Sequence, residues 1–392
     1  MFKQTIAVTS MNLRALPQRL GISLVIVIGI AVTVAVLVSV GAMATGFQKT
    51  LSNTGRDDRV IVLRGGSEAE LSSTISRDNT LTILDAPGVK RDADGKPIGS
   101  ADMVAIVSLP LKASGSGANV TLRGVGPKMP VLRPEIRIVE GRMFTPALRE
   151  LIVGRGAVKQ FSGLDLGSKV SFRDADWTVV GIFESNGDAH ESELMTDIET
   201  ALSAYRRNLF QSVTVMLESP EAFNAYKDRL TTDPTLGVDV KREPDYYAKQ
   251  SQGLKKLLDL LSFGVGGIMA LGAIFGTLNT MYTAVSSRGV EIATLRAIGF
   301  GALPVVVSVF VEALALALIG GALGAIGAWI FFNGNTVNTL GANFTQVVFN
   351  LTVSPALLVN GIVWACVIGV IGGLFPAVRA ARLPIATALR AG

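Results

Sequence analysis

Between Arg19 and Lys49 no residue carries a formal charge, and GISLVIVIGIAVTVAVLVSVGAMA is apolar throughout, with no alternation and no polar face. At about 1.5 Å per residue such a run crosses a hydrocarbon layer of about 30 Å, so residues 21–43 are predicted to span a membrane behind a short segment, 1–20. Ala42-Met43-Ala44 resembles a signal cleavage site, with Arg14 and Arg19 as its positive region, but the apolar core is longer than the usual ~7–15 residues and a retained anchor is expected. A second uncharged run between Asp259 and Arg288 predicts a helix over 257–283. From Glu312 to Arg379 the chain is again uncharged, too long for one crossing. The polar NGNTVNTLGANFTQ breaks it into spans at 303–332 and 354–376 around a loop at 333–353.

Residues 44–255 have a different pattern. DDRVIVLRGG, MVAIVSLPLKA, ANVTLRGVG and IRIVEGRMF are short apolar or alternating runs divided by glycine and proline, which predicts strands and turns. LRELIVGRGAVKQFSGLDLGSKVSFRDADWTVVGIF adds a strand, a helical turn, a bend and two further strands. In PEAFNAYKDRL the pattern is partly helical, and Tyr246-Tyr247 followed by GLKKLLDLL predicts a helical stalk running into the second span. The expected fold class is therefore a membrane protein with four transmembrane helices and a large mixed α/β domain between the first and second.

Composition agrees with this division. Of 392 residues 49% are hydrophobic and 17% charged, against about 25% charged in a typical soluble chain. The net charge of +5 is no nucleic-acid surface: outside residues 49–255 the only acidic residues are Asp259, Glu291 and Glu312, and the basic excess flanks the apolar runs. Lys3, Arg14 and Arg19 precede the first span, Arg288 and Arg296 separate the second from the third, and Arg379, Arg382 and Arg390 follow the fourth, whereas 333–353 has no Lys or Arg. Basic residues favour the cytoplasmic side, which places both termini and the 284–302 loop there and 44–255 outside.

Chemistry is sparse. One cysteine, Cys366, lies within the fourth span, where a packing role is expected, and excludes a disulfide framework. The single histidine, His190, stands among Asp188, Glu191 and Glu193 in ESNGDAHESELM; one imidazole makes a weak metal site, and a solvated polar loop is expected. No phosphate-binding G-x-x-x-x-G-K-[ST] occurs, and no catalytic, cofactor or metal residue is assigned. Glu312 is the one acidic residue inside the third and fourth spans; it offers a proton or substrate group, or it is paired with Arg296 or another helix. Gly272 and Gly276, Gly320 and Gly324, and Gly369 and Gly373 have the spacing that lets helices approach closely in lipid.

Two cytoplasmic segments carry the most specific patterns. In SSRGVEIATLRAIGFGALP, Ile292, Leu295 and Ile298 recur every three residues, Arg288 and Glu291 can pair on another face, and Gly299 and Pro304 mark the end of a short amphipathic helix. In the tail, 377–392, Arg379 and Arg382 with Leu383, Ile385 and Leu389 are available to a partner or to lipid.

RGVEIATLRAIG, residues 288–299, resembles the cytoplasmic signature of the permease subunits of MacB/FtsX-type ABC exporters, the mechanotransmission family, through Arg288, Glu291, Ile292, Arg296 and Gly299; Ala293 stands where glycine is common. PAVRAARLPIATALR resembles that family's closing pattern through Pro376, Ala377, Ala380, Ala381, Pro384, Ala388, Leu389 and Arg390. The resemblance implies a coupling helix at 288–299, with Arg288, Glu291, Ile292, Leu295, Arg296 and Gly299 contacting separate ABC ATPase subunits that bind ATP and Mg, while this chain binds no cofactor. It further implies a second permease chain, identical or related, a periplasmic adaptor and outer-membrane channel as further partners, and a place in the bacterial inner membrane. ATP-driven movement would act on 44–255 to extrude a substrate. An FtsX-like signalling scaffold that regulates an extracytoplasmic partner, and a lipoprotein-release or glycolipid-export permease, are the alternative uses of the same architecture.

Overall fold

The computed structural model describes residues 2–341 and 345–382. In chain order its helices are α1 (Phe2–Ala15), α2 (Leu20–Ser52), α3 (Arg77–Asp85), α4 (Met129–Leu132), α5 (Arg155–Gln160), α6 (Ile198–Tyr205), α7 (Phe223–Thr232), α8 (Glu243–Ser287), α9 (Gly289–Ala297), α10 (Ala302–Phe332) and α11 (Pro355–Ala381). Its strands are β1 (Arg59–Arg64), β2 (Gly99–Pro110), β3 (Gly117–Val125), β4 (Arg137–Gly141), β5 (Glu150–Gly154), β6 (Lys169–Phe172), β7 (Ala175–Glu184), β8 (Glu193–Asp197), β9 (Ser212–Met216), β10 (Val238–Arg242), β11 (Thr336–Leu340) and β12 (Gln346–Asn350). Among the described residues α2, α8, α10 and α11 are long and apolar enough to cross a membrane, so the chain is a multi-pass membrane protein. Two compact units result: Met1–Thr45, Leu257–Asn335 and Leu351–Gly392 form one, and Gly46–Lys256 with Thr336–Asn350 the other.

In the membrane unit, Ile30, Val34 and Val38 of α2 share a core with Ala313, Leu316 and Ala317 of α10 and with Ala365 and Ile368 of α11. Small residues set the spacing. A Cβ on Gly320 or Gly324 would strike the backbone of α2 at Val27 or Ala31, and one on Gly369 or Gly373 would strike Ala317 or Ala313 of α10. Gly272 and Gly276 of α8 have no such neighbour within 4 Å. The N-terminal segment adds an element that the sequence pattern did not announce: α1 buries Val8 and pairs Asn12 with Ser308 of α10.

The second unit is built on one ten-stranded sheet in the order β10-β1-β9-β2-β3-β8-β5-β7-β4, with β6 on β7. β2 joins its halves, pairing with β9 through Gly99–Asp102 and with β3 through Met103–Pro110. One core lies under β1, β9 and β10 with Ile83 of α3 and Tyr226 of α7, and another under β3, β5 and β7 with Ala157 of α5 and the fully buried Trp177. The hairpin β11-β12 belongs to this unit although it lies between α10 and α11 in sequence. Val348 N–H donates to Ser192 Oγ at 2.9 Å, Thr121 Oγ1 donates to Thr345 Oγ1 at 3.1 Å, and the Phe349 and Phe47 rings meet edge to face at 5.5 Å.

Candidate functional site

The segment between α8 and α10 is a nine-residue helix, α9, in which the predicted residues divide by face. Ile292 enters the membrane-unit core and Ala293 is buried beside it in sequence, Leu295 and Arg296 are half-buried, and Val290, Glu291, Thr294, Ile298 and Gly299 are exposed. Ile292, Leu295 and Ile298 do not form one stripe. At about 100° per residue a six-residue step leaves Ile298 some 120° around the axis from Ile292, and it is 69% exposed. The outward face is thus Val290, Glu291, Thr294 and Ile298, of which the three-residue spacing had pointed only to Ile298 and the signature only to Glu291.

Arg288 turns inward. Its guanidinium is a bidentate partner of Glu312 in α10, Nη1 donating to Oε2 at 2.7 Å and Nη2 to Oε1 at 2.6 Å. Glu312 is therefore paired with Arg288 rather than Arg296, because Arg296 reaches the end of α11 and donates to the Ala381 carbonyl at 2.8 Å. At that end Arg379 is exposed and lies over the Tyr282 ring of α8 at 5.2 Å, and Arg382 is exposed. Arg390, with Leu383, Pro384, Ile385, Ala388 and Leu389, lies outside the described residues.

In the second unit the sequence reading of His190 as part of a solvated loop is overturned, since the side chain is fully buried. The cause is a buried charge cluster at the seam between the half-sheets. Arg123 of β3 grips Glu70 at 2.7 and 2.9 Å and Glu193 of β8 at 2.8 and 2.9 Å, with Asp102 of β2 at 3.4 Å. Arg133 donates to Glu243 at 2.5 Å and to His190 Nε2 at 2.8 Å, which leaves His190 Nδ1–H to donate to Glu193 at 3.0 Å. Arg59 of β1 completes the set with an ion pair to Glu243 at 2.6 Å and a hydrogen bond to the Leu132 carbonyl at 2.9 Å. Of the acidic residues beside His190 in sequence, Glu193 is held by Arg123, whereas Asp188 and Glu191 accept from Ser185, Gly187 and the His190 backbone, and among the described residues no group of His, Cys, Asp and Glu is arranged to hold a metal.

Burial alone would raise these carboxyls, but Arg123 and His190 hold Glu193 well below the usual range, and Arg133 and Arg59 bring Glu243 down to about 2. Asp188 lacks a direct arginine, and burial pushes it up to about 6 against the pull of His190 and Ser185. Glu243 is the first residue of α8, and Tyr246 and Tyr247 behind it are buried, Tyr246 Oη accepting from Glu70 N–H at 3.1 Å. At the other entrance, Thr54 Oγ1, just past α2, accepts from Ala189 N–H at 3.0 Å, and Gly55 (φ +101°) lies against Glu243 and Pro244 where a Cβ would clash. The first turns of α8 and the exit of α2 are fastened to the same buried cluster. Tyr246-Tyr247 marked the place in sequence; the charges, scattered from Arg59 to Glu243, did not.

The family described as the MacB-like periplasmic core domain matches residues 23–233, more than half of the chain, and that described as the FtsX-like permease C-terminal matches 263–385. The chain belongs to the MacB/FtsX family of ABC permeases. The macrolide export ATP-binding/permease protein MacB of Bdellovibrio bacteriovorus is 23% identical over 93% of this chain and 58% of its own length. The ABC transporter permease YknZ of Bacillus subtilis is 24% identical over 94% of both chains. This chain spans between half and two thirds of the length of the MacB relatives. The solved extracellular domain of YknZ from Gram-positive bacteria aligns at 16% identity and a TM-score of 0.36, covering 47% of this chain and 99% of that domain.

Proposed function

We propose that this chain is the permease subunit of an ABC exporter, in which ATP and Mg are bound by separate ATPase subunits and their closure is converted into movement outside the membrane. The observation that carries the reading is the exposed face of α9, formed by Val290, Glu291, Thr294 and Ile298 in the segment that fills the family signature. It is the docking surface for the ATPase, with Arg296 and Gly299 shaping its end. The match along 94% of a relative named as an ABC transporter permease supports a separate ATPase.

The sidedness follows from two arguments. Basic residues flank the 284–302 segment and both ends, which are cytoplasmic by that criterion. Thr336–Asn350 folds together with Gly46–Lys256, which supports one common, extracytoplasmic side for 44–255 and 333–353 and an inner-membrane location with both termini inside. A second permease chain fits α8, because only 17% of its apolar window is covered by this chain, against 33–44% for the other three long helices. An adaptor and an outer-membrane channel would meet the outer unit.

Purification of the chain with candidate ATPases in nanodiscs, followed by intact-complex mass spectrometry, tests this. Two permeases with two ATPases are expected, and Ile298→Asp should weaken ATPase retention about tenfold or more, as removal of a central apolar anchor does. Retention and hydrolysis unchanged by Ile298→Asp would remove α9 as the docking site.

A further inference from the structure

Arg288 opens the signature segment, yet it offers nothing to a partner: its side chain is 6% exposed and that of Glu312 5%. The site is lined by Val8 and Asn12 of α1, Glu291 and Ile292 of α9, and Val305 and Val309 of α10. Two parallel N–H···O bonds fix the relative orientation of guanidinium and carboxylate as well as their separation. Either charge left alone in a site so buried would be costly, so the two groups stay together when the helices move.

The position of Arg288 in the chain gives the pair its use. α8 ends at Ser287 and α9 starts at Gly289; between them Arg288, at φ −101° and ψ 12°, leaves the helical path. A break of this kind, next to a glycine, bends under load unless something bridges it. The bridge is present, because the side chain at the break is the one locked to α10, and at its far end α9 is tied to α11 through Arg296 and the Ala381 carbonyl.

We infer that Arg288 and Glu312 form an internal strut that makes residues 288–299 and α10 move as one body. Force applied to the exposed face of α9 passes into α10 instead of being absorbed by bending at residues 287–289. Arg288 is then a positioning residue that acts through Glu312, and Glu312, with both oxygens engaged, is a structural partner. The inference rests on the coupling role proposed above for 288–299, but the strut itself is measurable without an ATPase.

Amide hydrogen exchange over 289–299 is compared for the full chain in nanodiscs with Glu312→Gln, Arg288→Lys and the exchanged pair Arg288→Glu/Glu312→Arg. Glu312→Gln should raise exchange by about tenfold or more, Arg288→Lys by less because it keeps the charge and loses the fork, and the exchanged pair should recover protection. With the ATPase added, Glu312→Gln should leave co-purification within about twofold while permease-stimulated hydrolysis of Mg-ATP falls about tenfold. Exchange that is unchanged in Glu312→Gln overturns the strut, as does loss of ATPase binding in Arg288→Lys with normal exchange, which would make Arg288 a docking residue. Failure of the unaltered chain to bind any ATPase would refute the coupling role while the exchange data still decide the strut.

Discussion

At the scale of single residues, the outer unit depends on charges that only the folded chain brings together. Glu243, Glu193 and Glu70 are tolerable inside because Arg59, Arg123 and Arg133 are there with them, and removing one partner of such a set exposes the rest to an uncompensated buried charge. Two aspartates depart from this: Asp102, which burial raises even beside Arg123, and Asp188. The ordinary value of Asp188 is 3.8 and burial lifts it to about 6, so between those values the folded chain holds a proton that the unfolded chain releases. Its contribution is complete below about pH 4 and is lost as the pH rises through about 6, a shift of about two units being worth roughly 3 kcal/mol. Glu243, held down to about 2, works in the opposite sense: its contribution is present above 4.5 and is lost only as the pH falls toward 2. Asp188→Asn keeps an acceptor for the His190 N–H and removes the titration. Thermal unfolding of the full variant in detergent should show a shallower decline between pH 4 and 6 and lie above the unaltered chain at pH 7; an unchanged profile would assign that decline to Asp102 or another group. None of this was legible in ESNGDAHESELM, where local polarity suggests solvent, because Arg123 and Arg133 come from distant parts of the chain.

At the scale of elements, the three glycine pairs look alike in sequence and differ in the fold. Gly320 and Gly324 admit the backbone of α2, and Gly369 and Gly373 admit alanines of α10, so larger side chains there must push whole helices apart. Gly272 and Gly276 face open space on α8. Gly324→Val is therefore expected to lower the unfolding temperature of the isolated chain by several degrees, by overpacking of about 1–3 kcal/mol, whereas Gly272→Val with Gly276→Val should leave it unchanged. If α8 is where the second permease chain packs, the double variant should instead shift the purified protein from dimer to monomer in mass photometry; a dimer that persists would move that contact to another helix. The apolar runs themselves were easy to read, since nothing but a membrane tolerates so many uncharged residues in succession. α1 was not, because FKQTIAVTSMNLRA mixes polar and apolar residues beside a far more apolar run, and the helical face of 288–299 was misjudged from a three-residue spacing that drifts around the axis.

At the scale of the molecule, one element belongs to both units. α8, 45 residues long, begins in one unit at the buried carboxylate of Glu243 and ends in the other at Ser287, beside the break at Arg288. Its first turns are fastened by ion pairs and buried tyrosines, and its last residue adjoins the Arg288–Glu312 pair, so both ends are fixed to their own surroundings. The proposed function requires that a displacement at one end of α8 reach the other. This division of the chain was visible in sequence, as a charged region between apolar runs and a stalk after Tyr246-Tyr247. The fastening was not, because it depends on residues from Arg59 to Glu243 meeting in space. The arrangement predicts where the transmission can be cut. Gln252-Gly253-Leu254 lies between the anchored turns and the apolar part of α8, and Gly253 has no neighbour within 4 Å, so replacing the three residues by Gly-Pro-Gly interrupts the helix without disturbing either core. In the complex with its ATPase trapped by vanadate, the unaltered chain should show altered hydrogen exchange both at 288–299 and around Glu243; the interrupted chain should keep the first change and lose the second. Exchange around Glu243 that still responds would mean that α2, the other helix fastened to the cluster, carries the movement.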